Sequence, residues 1–150
     1  MTDDASLFEA LTTLQRTAAR GLTEALSAEG FSVDQWRLLR RLADGGGHRI
    51  GELAATLVVP LPTMTRLADG LVELGLVYRR PAEHDRRSVE LFLARQGRQL
   101  LGRLDAVAEP RLRELTRDPA WRALLDHGAA TSATLATPGS ADRSIWVSGS

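Results

Sequence analysis

The segment from Ile50 to Gly97 constrains the fold most strongly, because it holds two short helical patterns and then two alternating ones. Apolar residues from Ile50 to Leu57 recur at helical spacing, and a second helical pattern begins at Pro62. Gly75 follows this second pattern, where glycine suits the left-handed stop of a helix. The order predicts a helix-turn-helix joined to a hairpin, which is called a winged helix-turn-helix.

The hairpin is expected to contain strands from Leu76 to Arg80 and from Ser88 to Leu93. A polar loop from Pro81 to Arg87 should join them, with Asp85-Arg86-Arg87 at its tip. The second helix should bury five side chains: Met64, Leu67, Ala68, Leu71 and Leu74. The expected fold is therefore mainly α-helical, with a small two-stranded wing.

Amphipathic helices flank this segment. One stripe of apolar residues runs from Leu7 to Leu26, and Ser32 is a suitable N-cap for a helix from Val33 to Leu42. A further stripe follows Gly97, and Pro110 inside it should kink or split the helix. Either a second copy of the chain covers these stripes or they fold back onto their own winged domain; the sequence favours the dimer.

Four regions are therefore expected. Residues 1–30 form an N-terminal dimerisation helix, residues 31–96 form the winged helix-turn-helix, and residues 97–136 form C-terminal dimerisation helices. The last of these helices should begin at Asp118-Pro119. Residues 137–150 are expected to be disordered.

Composition excludes several kinds of site. The chain has no cysteine, so it has neither disulfides nor thiolate metal sites. Its three histidines are too far apart in sequence to suggest a zinc site, and no nucleophile–base pair or cofactor loop has usable spacing. We expect no metal, no cofactor and no enzymatic activity. The acidic N-terminus and the lack of a long apolar run predict a cytoplasmic protein without membrane contact.

The charge distribution favours nucleic acid as a partner, although the formal net charge is zero. Four arginines lie between Arg79 and Arg87, against two acidic residues. A helix of this kind fits the major groove of duplex DNA, and an arginine-tipped hairpin can reach the backbone or minor groove beside it. One of the wing arginines Arg79, Arg80 and Arg86 is expected to pair with Asp85 or Glu83.

These parts, in this order, resemble the MarR-type transcriptional regulators. The matching segments cover about a third of the chain: Glu52-Leu53-Ala54, Thr63-Met64-Thr65-Arg66-Leu67, Leu71-Val72-Glu73-Leu74-Gly75-Leu76-Val77, Asp85-Arg86-Arg87, and Leu93 followed by Gly97. The resemblance implies a homodimer that binds a pseudo-palindromic operator in double-stranded DNA. It also implies a repressor that a small aromatic or acidic effector releases from DNA.

The resemblance assigns roles to individual residues. In the recognition helix, Thr63, Thr65 and Arg66 should lie nearest DNA, although Arg66 could instead pair with Asp69. In the wing, Arg87 should enter the minor groove, Arg86 should add positive charge, and Asp85 should hold the wing in shape. For the effector, Arg20 and Trp36 are candidate lining residues, although Trp36 is favoured as a core or dimer-interface aromatic.

Three positions depart from the family pattern. Pro60 and Pro62 stand where small hydroxyl residues are common, and proline can neither cap the helix through a side chain nor donate to phosphate. Ala94 stands in place of the usual threonine after Leu93. These changes motivate an alternative: a degenerate family member that keeps the dimer and binds a small molecule or a protein instead of an ordinary operator.

Overall fold

The computed structural model describes residues 4–117, 119, 121 and 122. Its helices are α1 (Asp4–Ala28), α2 (Val33–Arg41), α3 (Ile50–Leu57), α4 (Leu61–Glu73) and α5 (Arg95–Thr116), and its strands are β1 (His48–Arg49), β2 (Val77–Ala82) and β3 (Asp85–Leu93). The strands form one antiparallel sheet in the order β1-β3-β2. The mainly helical winged fold is confirmed, and β1 is a third strand that the sequence did not predict.

The chain divides into two units, the first ending at Leu115 and the second beginning at Thr116. In the second unit, Pro119, Trp121 and Arg122 are helical. The rest of the predicted last helix and the predicted disordered tail lie outside the described residues. Among the described helices, none combines the length and the apolar composition needed to cross a membrane.

Local signals around α2 act as the sequence predicts. The Ser32 hydroxyl accepts the Gln35 backbone N–H at 3.1 Å, and the Gln35 side chain accepts the Ser32 N–H at 2.8 Å. This reciprocal capping satisfies backbone donors that the helix leaves free at its N-terminus. Gly30 has a φ of +81° and ends the turn after α1.

The core of the first unit receives residues from every helix and from the sheet. Its most deeply buried side chains are Leu26, Leu38, Leu39, Leu42, Leu53, Met64, Leu71, Val77, Leu91 and Leu104. Part of the apolar stripe of α5 is covered by its own chain: Leu100, Leu101, Leu104 and Ala108. For these residues the structure has the second alternative, in which the stripe folds back onto the winged domain. By contrast, Phe8 and Leu11 on the first half of α1 are 67% and 47% exposed.

The wing is longer than the sequence predicted. Strand pairing reaches Ala82 and Asp85, so the connecting turn contains only Glu83 and His84. The prediction ended the first strand before Pro81, where it placed the start of a polar loop, and proline cannot donate to a sheet. However, β2 is an edge strand, where a missing N–H can face solvent without loss.

Three other expectations were wrong. Leu74 is 57% exposed, because α4 ends at Glu73 and the chain turns away at Gly75, whose φ is +69°. The helix α4 begins one residue early, which places Pro62 at its second position. The helix α5 continues through Pro110, so the predicted split does not occur, whereas the alternative of a kink stays a prediction.

The continuity of α5 has a simple physical reason. Proline at position 110 removes one backbone donor, and the carbonyl left without it belongs to residue Ala106, four positions earlier. Both Ala106 and Pro110 are exposed, so water can hydrate that carbonyl. The remaining hydrogen bonds of α5 then carry the helix past the proline.

The backbones of α5 and the sheet approach closely at Gly97. A Cβ atom added there would lie 2.1 Å from the Leu76 carbonyl oxygen and 2.7 Å from Cδ1 of Leu93. The Leu76 carbonyl oxygen also accepts the Ala94 N–H at 2.9 Å, and this hydrogen bond holds the oxygen in place. Only glycine fits at this crossing.

Val58, in the turn between α3 and α4, has a left-handed backbone conformation with φ of 54° and ψ of 51°. Its side chain is 87% exposed and contributes little packing. A β-branched residue in this conformation is strained by roughly 1–2 kcal/mol. We expect Val58→Gly to raise the free energy of unfolding by about 1 kcal/mol, measured by urea denaturation.

The matched control for Val58→Gly is Ala55→Gly, at an exposed position inside α3. This change should lower the free energy of unfolding by about 1 kcal/mol, the cost of glycine within a helix. A loss of stability in Val58→Gly would contradict the assignment of strain to the turn.

Candidate nucleic-acid interface

One side of α4 faces solvent along its whole length. The exposed residues of this stripe are Leu61, Pro62, Thr65, Arg66 and Asp69. Spacings of one, three and four residues place them on one face, opposite the buried Met64, Ala68 and Leu71. Of the three predicted contact residues on α4, Thr65 and Arg66 are exposed, and Thr63 is half-buried.

The Thr65 hydroxyl is engaged within the helix. Its Oγ1 donates to the Leu61 carbonyl at 3.0 Å. The hydroxyl proton is therefore not free for another acceptor, although the oxygen lone pairs and the γ-methyl group remain available. Thr65 can contact a neighbouring surface, but as an acceptor or through its methyl group.

Within the described residues, Arg66 does not pair with Asp69, which is bound elsewhere. The Asp69 carboxylate accepts a short hydrogen bond from the Arg79 guanidinium of β2. The alternative in which Arg66 pairs with Asp69 does not occur, and the guanidinium of Arg66 has no hydrogen bond or ion pair within the described part of the chain. The expectation that a wing arginine pairs with Asp85 or Glu83 was also wrong, since Arg79 binds to α4 instead.

At the tip of the wing, the Asp85 carboxylate organises the backbone. Its Oδ1 accepts the Arg87 backbone N–H at 3.0 Å, and its Oδ2 accepts the Ser88 hydroxyl at 2.9 Å. These hydrogen bonds, first from Ser88 and then from Arg87, lower the pKa of Asp85, and the nearby Arg49 adds to the effect. Asp85 is therefore ionised at neutral pH, and its two oxygens are committed to the turn.

This commitment leaves the neighbouring arginines in solvent. The side chains of Arg86 and Arg87 are exposed, and neither makes an ion pair with any described residue. A long cation at the start of β3, held in place by the Asp85 hydrogen bonds, suits insertion into a groove, because the backbone that presents it is already ordered.

The outer face of the sheet carries an aromatic pair. The rings of Tyr78 and Phe92 stack at 5.5 Å between centroids and 14° between planes. The Arg80 guanidinium lies 5.8 Å from the Tyr78 centroid and 5.7 Å from that of Phe92. Cation–π attraction therefore fixes the Arg80 side chain. Alternation of Tyr78 and Arg80 along one strand could have indicated this arrangement from the sequence.

The two candidate effector residues do not line either of the two main clefts formed by the described residues. Trp36 is 6% exposed, and its indole N–H donates to Oδ1 of Asp105 at 2.8 Å. Arg40 donates to the same oxygen at 2.8 Å and lies 5.3 Å from the Trp36 ring centroid. Arg20 is exposed on α1. Trp36 thus joins α2 to α5 through Asp105.

A separate cleft of about 330 Å³ lies beside the C-terminal end of α4. Its lining residues are Phe31, Leu74, Leu76, Gln96, Gln99, Leu100 and Arg103. The walls are mixed, with four apolar residues, one arginine and two amides, and the exposed Leu74 is part of them. Sequence reasoning missed this cleft because it treated Leu74 as core.

Comparison with known proteins places this geometry in a family. Residues 29–88, which span α2 to the tip of the wing, match the MarR family. The structure superposes on apo MarR from E. coli with a TM-score of 0.72 and 25% identity, covering 83% of this chain and 95% of that one. Residues 29–88 are therefore a MarR-family segment. A mutant E. coli MarR bound to operator DNA matches this chain with a TM-score of 0.71 and 25% identity, covering 83% of this chain and 91% of that one.

Two proteins that are similar to this chain are named as transcriptional regulators. The transcriptional activatory protein BadR of Rhodopseudomonas palustris is 30% identical over 110 residues, which cover 71% of this chain and 59% of BadR. The transcriptional repressor YetL of Bacillus subtilis is 30% identical over 97 residues, covering 63% and 58%. The chain therefore spans less than two thirds of the length of these relatives, which are regulators rather than enzymes.

Proposed function

We propose that this protein is a homodimeric, sequence-specific DNA-binding transcription regulator. The observation that carries the proposal is that the guanidinium groups of Arg66 and Arg87 are exposed and make no ion pair with any residue that the structure describes. One lies on the exposed side of α4 and the other on the tip of the wing. The ion pair between Asp69 and Arg79 joins the two elements, so both cations belong to one surface unit.

In this proposal α4 enters the major groove and the wing reaches the adjacent minor groove. Arg66 contacts bases or phosphate, Thr63 and Thr65 lie against the backbone or base edges, and Arg87 occupies the minor groove. Arg86 strengthens the positive field, and Asp85 keeps the turn in the conformation that presents both arginines. The operator-bound MarR structure supports this arrangement by its similar fold.

We place dimerisation in residues 1–30 and 97–136, on either side of the winged domain formed by residues 31–96. The exposure of Phe8 and Leu11 supports this assignment, because two large apolar side chains on one helix call for an apolar partner. The middle of α5 contributes less to this dimer interface than the sequence indicated, because its apolar residues are already buried in the core of their own chain. A dimer then presents two copies of α4 to two half-sites about one helical turn apart.

We further propose repression, by occupation of promoter DNA, that a small aromatic or acidic molecule relieves. The cleft near Arg103 is a better effector site than the surroundings of Arg20 and Trp36, because the Trp36 N–H is already satisfied. Apolar side chains beside one cation suit a ring that carries a carboxylate. A screen of aromatic carboxylates for loss of operator binding tests this, and Arg103→Ala should make the protein unresponsive; an unchanged response would exclude the cleft.

The experiment that tests DNA binding is the selection of sites from a random duplex library by the purified protein, at low and moderate salt. We expect an inverted repeat with half-sites about one helical turn apart, bound less tightly as salt rises, because phosphate contacts release counterions. Enrichment of no sequence by a well-folded dimer would favour the degenerate member, which binds a small molecule or a protein. The zero net charge and the two prolines motivate that second candidate.

A further inference from the structure

The exposed side of α4 begins with apolar side chains where a DNA-reading helix often has polar ones. Leu61, the first residue of α4, is 51% exposed, and Pro62 beside it is exposed as well. Neither belongs to the core cluster. Water must therefore hydrate a leucine and a proline at the front of the helix, at a free-energy cost that an apolar partner would remove.

The surroundings of these two residues indicate the partner's charge. Arg66 follows on the same stripe, and its guanidinium has no ion pair among the described residues, whereas the negative charge of Asp69 is balanced by Arg79. The apolar patch thus lies next to free positive charge. A suitable partner is a polyanion that also presents apolar groups.

Hydrogen-bond readout is limited at this end of the helix. Pro62 has no N–H, and the Thr65 hydroxyl donates to the Leu61 carbonyl. The contacts that remain available are mainly van der Waals contacts from Leu61, from the Pro62 ring and from the Thr65 methyl group. In the major groove of DNA, the apolar group presented by the base pairs is the C5-methyl group of thymine.

Building on the proposed DNA-binding function, we propose that Leu61 selects thymine in each operator half-site by packing against its 5-methyl group. Pro62 supports the contact, and Arg66 anchors the same helix through its charge. The two prolines that depart from the family pattern then have a role, because they replace hydrogen-bond donors with an apolar reading surface. Leu61 is a specificity-determining residue in this proposal.

The test uses the full chain and the operator obtained by selection. Each thymine of the operator is replaced singly by deoxyuridine, which removes the 5-methyl group and keeps the base pairing. At the contacted position of a half-site, we expect Kd to rise about threefold to fourfold, because the complex loses the favourable burial of one methyl group. Other positions should change less than this.

A variant pair ties the effect to Leu61. In Leu61→Ala the deoxyuridine effect should fall below about twofold, because the side chain that contacts the methyl group is shortened. The control is Val89→Ala, which shortens a similarly exposed apolar side chain on β3 and should retain the full effect. Because both side chains are about half exposed, neither substitution should prevent folding.

The outcomes separate the two proposals. An operator whose affinity is insensitive to every deoxyuridine replacement, or whose sensitivity is unchanged in Leu61→Ala, would overturn the thymine contact and leave the DNA-binding function standing. Failure to select any operator would overturn both proposals together. Loss of sensitivity only in Leu61→Ala supports the direct contact.

Discussion

Gly97→Ala is expected to lower the free energy of unfolding by about 3 kcal/mol, the upper end of the range for overpacking a close contact. The added Cβ would lie 2.1 Å from the Leu76 carbonyl oxygen, and that oxygen is fixed by the Ala94 N–H. Either the start of β2 or the first turn of α5 must move. Urea denaturation, followed by circular dichroism, measures the change.

Gly102→Ala is the matched control, since it lies on the same helix with no neighbouring atom within 4 Å of the added Cβ. Alanine there should raise stability by up to about 1 kcal/mol, because glycine is unfavourable inside a helix. If Gly97→Ala remained within about 0.5 kcal/mol of the unmodified protein, the close crossing of α5 and β2 would be wrong.

Arg87→Ala is expected to weaken operator binding by about tenfold to hundredfold, because a dimer loses one charged groove contact at each of two wings. The side chain is exposed and the backbone N–H of residue 87 can still donate to Asp85. The fold and the oligomeric state should therefore be unchanged. Fluorescence anisotropy with labelled operator gives Kd, and light scattering gives the mass.

Arg16→Ala removes the same charge from an exposed position of α1, away from the wing. Its effect on Kd should stay below about twofold, since only long-range electrostatics changes. Equal losses in Arg16→Ala and Arg87→Ala would show that net charge alone matters and would remove the wing from the proposed interface.

Sequence reasoning predicts most of the fold here because the local signals agree. The Ser32 cap, the stops at Gly30 and Gly75, and the buried stripe of α4 each depend on residues close together in the chain. The wing was predicted too short because the tolerance for Pro81 depends on which strand lies at the sheet edge. That order is a property of the assembled sheet.

The residues expected at the interface could be named from the sequence, but their partners could not. Asp69 was a plausible partner for Arg66 on helical spacing, and only the packing of α4 against β2 gives it Arg79 instead. Gly97 was visible as part of a pattern, whereas the reason for glycine there is a contact with Leu76, more than twenty residues earlier. Long-range neighbours decide such details.

The pairing of Asp69 with Arg79 also limits how the specificity of such a protein can evolve. In the proposed DNA complex, a substitution at residue 69 that gave a new base contact would release Arg79, and a cation newly freed beside the groove would strengthen binding to every sequence alike. Discrimination between sites would then fall even as affinity rose. A change of target at this position therefore requires a second, compensating change at residue 79.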